Sequence, residues 1–269
     1  MTSVPPAPSL RLLLARAADE FALTTALLFV AVTVVRWLRD PGSALRVADL
    51  DAALAVIGVI SGIVLTGLIL SPPGRRSGGH TNPAVTVALW VMGAFPGRAV
   101  LPYALGQFAG SAAGTALGRL VWGPAVSRPA VAHAAIRPAA GWHPASVFLA
   151  EAGGMMLLIL VVGFVMARPG RVHRVPCAIG LSVGLVIVLL GSRSGGSINP
   201  ARQFGPAVLS GQTTDLWIYL VAPVLGAVAG AWLHRLLARR PVGSRTLPVP
   251  RPHEADPEAW TRGRPQARR

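Results

Sequence analysis

One phrase occurs twice in this chain and limits what it can fold into more than any other feature. Gly78-Gly79-His80-Thr81-Asn82-Pro83-Ala84-Val85 returns as Gly195-Gly196-Ser197-Ile198-Asn199-Pro200-Ala201-Arg202. Each copy is a Gly-rich turn, then Asn-Pro-Ala, then an apolar stretch too short to cross a bilayer. Asn is a favoured helix N-cap, and Pro fits the first helical position, where its missing N–H costs nothing. Each copy therefore predicts the start of a half-length helix with its positive dipole end at the Asn. A single Asn-Pro-Ala would mean little, because Asn-Pro also starts ordinary turns. Two, in corresponding places of two hydrophobic halves, point to a membrane transport site built from inverted repeats.

Composition agrees with lipid as the solvent. Of the 269 residues 52% are hydrophobic and only 13% charged, against about a quarter charged in soluble domains. The formal net charge of +15 would suit nucleic acid. Its location argues otherwise, because the arginines sit between and beyond the apolar spans, as in the cytoplasmic loops of membrane proteins. Every basic residue other than His is Arg, and nothing physical explains that choice. The lone Cys177 excludes an internal disulfide framework and a multi-Cys metal site. With no nucleophile–base pair or cluster of metal ligands either, the chain reads as no enzyme, with no cofactor. Met1 to Leu10 lacks the basic start and apolar core of a cleavable signal, so the first span is expected to act as the insertion signal.

Along the chain, residues 1–16 read as a short tail, followed by spans at about 17–37, 52–70 and 99–122. Ser71-Pro72-Pro73-Gly74-Arg75-Arg76 breaks the second span, and the first half-helix runs from Pro83 to about Met92. Gly106, Gly110, Gly114 and Gly118 suit close helix approach in the third. A Pro- and Ala-rich connection, 123–144, joins the halves. The second half repeats the order, with spans at about 145–167, 175–191 and 214–237 and a half-helix from Pro200 to about Leu209. Residues 239–269, rich in Pro and Arg, read as a disordered tail that is either solvated or drawn to anionic headgroups. The expected fold is an all-α membrane protein with six transmembrane helices and two half-helices in two inverted repeats. Arg11, Arg16, Arg75, Arg76, Arg168, Arg171 and Arg174 fall on the side of the termini. Fewer fall opposite (Arg36, Arg39, Arg46, Arg128, Arg137), so the positive-inside rule puts both termini in the cytoplasm.

On these motifs the sequence resembles the aquaporin (major intrinsic protein) superfamily over roughly residues 17–238. The resemblance implies that Asn82 and Asn199 meet at the midplane and offer amide donors to a passing water or hydroxyl. The facing helix dipoles would disfavour cations. Their plain alternative role is helix capping alone. Arg202, directly after the second motif, matches the family's filter Arg; an Arg snorkelling to the headgroups is the other reading. Glu20 and Glu151 are the acidic residues well inside apolar spans, where carboxylates suggest proton relays by default. The resemblance instead gives them the structural task of accepting hydrogen bonds from the half-helix loops. His80 resembles a family position on the inner half of the pore, with pH sensing as the alternative.

Aligned on Asn199, the fifth-span filter position falls on Ile187 and the loop position on Gly196. The loop before the first motif, Pro72-Pro73-Gly74-Arg75-Arg76, looks about one residue longer than is usual in the family, so the second-span position falls on Ser61 or Gly62. Water-selective members resemble Phe, His, a small residue and Arg at these places, and glycerol facilitators Trp, Gly, Phe and Arg. A small residue, Ile, Gly and Arg is most similar to the plant nodulin-like channels that pass boric acid. Gln203, Ala207 and the Tyr219-Leu220 pair give mixed signals. The implied function is a passive channel for water and small neutral solutes such as glycerol, boric acid or related metalloid hydroxides. A strictly water-selective channel, an ion-coupled transporter and a non-conducting structural protein remain as alternatives. A homotetramer in a bacterial inner membrane is the implied setting.

Overall fold

Nine α-helices carry residues 9–238, the part of the chain that the computed structural model describes. They are α1 (Leu10–Arg39), α2 (Leu50–Leu70), α3 (Pro72–Ser77), α4 (Pro83–Val91), α5 (Val100–Trp122), α6 (Pro144–Met166), α7 (Val175–Leu190), α8 (Pro200–Ser210) and α9 (Leu216–Leu237). The expected tail 239–269 and residues 1–8 lie outside the described residues. Helices α4 and α8 have nine and eleven residues. At 1.5 Å per residue they are about 13 and 17 Å long, roughly half of a ~30 Å hydrocarbon layer. The other helices, α3 apart, are long. All but one of these are apolar enough to span a bilayer by composition; α5, diluted by its glycines and Gln107, is the exception.

Two boundaries differ from the sequence reading. Helix α1 starts at Leu10, not near Ala17, because the Ser9 hydroxyl caps it by accepting the Leu12 N–H at 3.3 Å. Part of the expected tail is therefore helix. The break after α2 is not a bare loop but the single turn α3, capped by Ser71 and started by Pro72 and Pro73.

The helices pair by repeat and then across repeats. Helix α1 packs on α5 and α6 on α9, while α2 crosses α7. Each half-helix lies mainly against the last long helix of the other repeat, α8 on α5 and α4 on α9. Small residues make this possible. A methyl group on Gly106 or Gly110 would come within 2.5 Å of the carbonyl oxygens of Ala17 and Phe21, respectively, on α1. Between helices in lipid, such close packing, and not expulsion of water, supplies the association energy. Large apolar side chains such as Leu120 and Leu149 point outward, an arrangement suited to lipid and not to water. Both described chain ends lie on one face of the bundle, called here the terminal face. The connection between α5 and α6 lies on the opposite face.

Candidate functional site

Each motif loop is an unwound stretch that must find partners for its backbone inside the bundle. A buried carboxylate supplies them. Glu20 accepts the N–H groups of His80 (2.9 Å) and Thr81 (2.7 Å) and the Ser77 hydroxyl (2.7 Å). Glu151 accepts those of Ser197 (3.1 Å) and Ile198 (2.6 Å) and the Ser194 hydroxyl (2.8 Å). A tyrosine then ties the start of each loop from the last helix of its repeat. Tyr103 donates to the Ser77 carbonyl at 2.8 Å and Tyr219 to that of Ser194 at 2.5 Å. The backbone follows the same path twice: φ is 100°, 59° and 47° at Gly78, Gly79 and Thr81, and 101°, 60° and 41° at Gly195, Gly196 and Ile198. Thr81 and Ile198 are β-branched residues in the left-handed region, a strained choice that only a rigid surround sustains.

The two loops complete each other. Asn82 accepts the Ala84 N–H through its side-chain oxygen (2.9 Å) and donates from Nδ2 to the Ile198 carbonyl (3.0 Å). Asn199 accepts from Ala201 (3.0 Å) and Arg202 (3.2 Å) and donates to the Thr81 carbonyl (3.0 Å). These bonds fix which amide atom is oxygen and occupy one of the two N–H donors of each Asn. The second N–H has no protein partner among the described residues, and both side chains line a cavity of about 330 Å³.

Arg202, Gly196, Ile187, Ser61 and His80 line the same cavity. Gly62 does not, which corrects one of the two expected second-span positions. A methyl group on Gly62 would sit 2.7 Å from the Gly180 carbonyl oxygen, so Gly62 belongs to the α2–α7 crossing. Ser61 does line it, and so does Ile57 one turn earlier on α2. The crossing pairs Gly58 with Gly184 and Gly62 with Gly180, so the pseudo-twofold relates α2 to α7 at a spacing of 122 (58 to 180, 62 to 184). The motifs repeat at 117 (Ser77 to Ser194), which leaves 122 − 117 = 5 residues, the α3 turn, without a counterpart.

Further contacts hold the site in place. Gln203 grips the α5–α6 connection, accepting the Ile136 N–H and donating to the Ile136 carbonyl, both at 2.9 Å. Arg202 donates from a terminal nitrogen to the Ala134 carbonyl at 2.8 Å. Tyr219 and Ala207 are fully buried and away from the cavity, so their kinship signals do not report on its lining. His80 bonds Thr86 through Nδ1 at 3.0 Å and stacks edge-on with Phe95, ring centres 4.8 Å apart. The ionisable cavity-lining residues are Arg39, His80, Arg137 and Arg202. No carboxylate lines it among the described residues, and the positive ends of α4 and α8 face it. Both buried glutamates are instead taken up by the loops.

Comparison with known proteins follows this geometry. The model of the major intrinsic protein family matches residues 9–234. The chain belongs to that family. It is accordingly a passive membrane channel for water and small solutes and not an enzyme. The probable aquaporin AqpM of Archaeoglobus fulgidus is 42% identical over 194 residues, 68% of this chain and 76% of that protein. The propanediol uptake facilitator PduF of Citrobacter freundii is 32% identical, over 72% of this chain and 84% of its own. Aquaporin NIP1-3 of Oryza sativa subsp. japonica is 38% identical over 61% of this chain, but the match spans only 56% of the rice protein. Among solved structures, the aquaglyceroporin of Plasmodium falciparum superposes with a TM-score of 0.70 at 20% identity, over 84% of this chain and 97% of that one. At that identity the likeness speaks for the fold of this family member alone.

Proposed function

We propose that the cavity is the conducting path of a channel for small uncharged polyols or hydroxides together with water, and that Ile57, Ser61, Ile187, Gly196 and Arg202, which all line it, form its selective ring. The observation that carries this is the ring's make-up: one guanidinium opposite two aliphatic side chains, with no aromatic ring to fill the space. A solute with hydroxyls on one side and carbon on the other can bond Arg202 and then the free amide N–H of Asn199 and Asn82 while its apolar side slides along isoleucine. Glycerol fits that description, as do 1,2-diols, and the named cargo of the Citrobacter relative supports it. Boric acid and related metalloid hydroxides meet the donors equally well. Ions are expected to be excluded, since the path offers no carboxylate and a fixed positive charge. Backbone donors take up Glu20 and Glu151, the two carboxylates well inside the spans, which favours a channel over a coupled transporter.

Two aliphatic residues narrow the ring more than one would, and this favours water as the sole permeant in the second reading. Stopped-flow light scattering on proteoliposomes separates the two. Under the polyol reading, vesicles shrink and then re-swell quickly in glycerol or boric acid, and Ile57→Phe or Ile187→His suppresses re-swelling while leaving water flow. Acceleration of water alone would make this a plain water channel, and no acceleration of any permeant would favour a non-conducting role.

The same reading extends to the setting. The arginine-rich terminal face is assigned to the cytoplasm of a bacterial inner membrane, with the α5–α6 connection outside. The channel unit is assigned to residues 17–238, between tails 1–16 and 239–269, and assembly to a homotetramer with one path per subunit.

A further inference from the structure

The α5–α6 connection carries a feature that the conduction path does not use. Ala132, His133 and Ala134 all have positive φ, 44°, 56° and 63°. Three consecutive residues with a Cβ in the left-handed region are costly, each by about 1–2 kcal/mol. This turn presents the Ala134 carbonyl to Arg202, and two residues on Gln203 grips Ile136. His133 at its centre is buried and faces away from the cavity. One ring nitrogen, Nε2, contacts the Ser127 hydroxyl at 3.3 Å, and Nδ1 is buried with no partner among the described residues.

We propose that His133 is a proton-operated catch on this turn: neutral, it keeps the Ala134 carbonyl on Arg202, and protonated, it releases the connection and lets the guanidinium swing into the path. The proposal rests on the placing of Arg202 in the conduction path. The surroundings give the sign. From α5 the imidazole faces Arg119. The end of α1 brings Arg36, Arg39 and Asp40, whose carboxylate is already taken by Arg128 at 2.7 Å. Helix α8 brings Arg202, and the turn at 123–127 brings only the Ser127 hydroxyl. An imidazolium would thus stand beside the Arg119 guanidinium with no free carboxylate among these groups, and its Nδ1–H would be a buried donor without an acceptor. Burial first, and then Arg119, hold the His133 imidazole below its ordinary value. The closed turn therefore favours the neutral ring, so proton uptake must favour the open one. Once Ala134 leaves, the guanidinium finds its missing acceptor only in the water of the path, where it obstructs solute.

The test uses the full chain in proteoliposomes, with glycerol re-swelling followed from pH 7.5 to 5.0. Wild type is expected to slow several-fold on acidification. His133→Asn, which keeps the tolerance for positive φ, is expected to hold one rate throughout. Arg119→Gln removes a neighbouring cation and is expected to move the midpoint to higher pH. Amide exchange across 131–136, corrected for intrinsic rate, is expected to rise at pH 5.0 in wild type and not in His133→Asn. A flat wild-type profile, or an equal fall in His133→Asn, overturns the catch. If no variant passes glycerol at any pH, the polyol reading fails. The exchange arm then decides the catch alone, and exchange that ignores pH or the Asn variant ends it.

Discussion

The two repeats build their motif loops with the same parts and finish them differently. In both, a glutamate from the first helix, a serine at the loop start and a tyrosine from the last helix hold the unwound backbone. Repeat one adds Gln107, which donates to Glu20 at 2.8 Å and reaches Thr86 at 3.2 Å. At the corresponding place repeat two has Pro223, which donates nothing. Repeat one carries Val85 where repeat two carries Arg202, and Thr86 where repeat two carries Gln203. The shared parts make a scaffold. The unshared ones make the two ends of the path unlike, and the charge carried by the motifs and the grip on the α5–α6 connection fall to repeat two.

The largest effects should come from breaking what the repeats share. Replacing Glu20 or Glu151 with Gln puts an amide where several donors converge. Either change should cost about 3 kcal/mol or more, with Glu20→Gln the worse because Gln107 also loses its acceptor. Melting temperature and monodisperse yield in detergent would check this, and an equally stable Glu20→Gln would refute the ranking. Making the repeats alike at their main difference should come next. Arg202→Val should raise glycerol flux several-fold and admit protons, read with an entrapped pH dye. Unchanged proton tightness would mean that the half-helix dipoles suffice alone.

Smaller effects sharpen the symmetry. Tyr103→Phe and Tyr219→Phe each remove one hydrogen bond to a serine carbonyl and should each cost about 1 kcal/mol. A clear inequality in their thermal shifts would show that the two tethers are not equivalent. Smallest is the tie at the end of α1, which repeat two lacks. The Arg128 guanidinium, and then the Gly42 N–H, hold the Asp40 carboxyl below the usual carboxylate range. A lowered carboxyl value stabilises the fold above the unfolded value and loses that contribution as pH falls through the folded one. Proteolysis in the 128–137 segment should therefore rise only below about pH 4, and Asp40→Asn should abolish that step. The range lies well apart from the one assigned to His133.

Much of this was legible in advance because it rests on residue types with few alternative uses. Asn before Pro announces a helix start, and a carboxylate inside an apolar span must find donors; both expectations describe Asn82, Asn199, Glu20 and Glu151 as they stand. Ile57 was not legible. Nothing in the sequence sets it apart from the other apolar residues of α2, and only the cavity lining brings it forward. The αL turn at Ala132–Ala134 was hidden for a different reason. Glycine advertises positive φ, whereas alanine and histidine do not; backbone bonds within 128–135 and the long-range bond from Arg202 hold them there. Gln203 itself carried a hint, a long amide beside Arg202, but its partner is backbone and leaves no mark in the sequence.

The exchange of amide and carbonyl between Asn82 and Ile198, and between Asn199 and Thr81, bears on how the protein is made. A ribosome delivers repeat one first, and until residue 199 has emerged neither asparagine can find its acceptor. The first half-helix must wait, loosely held, through the synthesis of three further spans. Nascent chains arrested before α8 should therefore contain inserted helices but no finished passage. The passage closes in a single late event, in which both halves commit together, so an unfinished channel has no opportunity to leak.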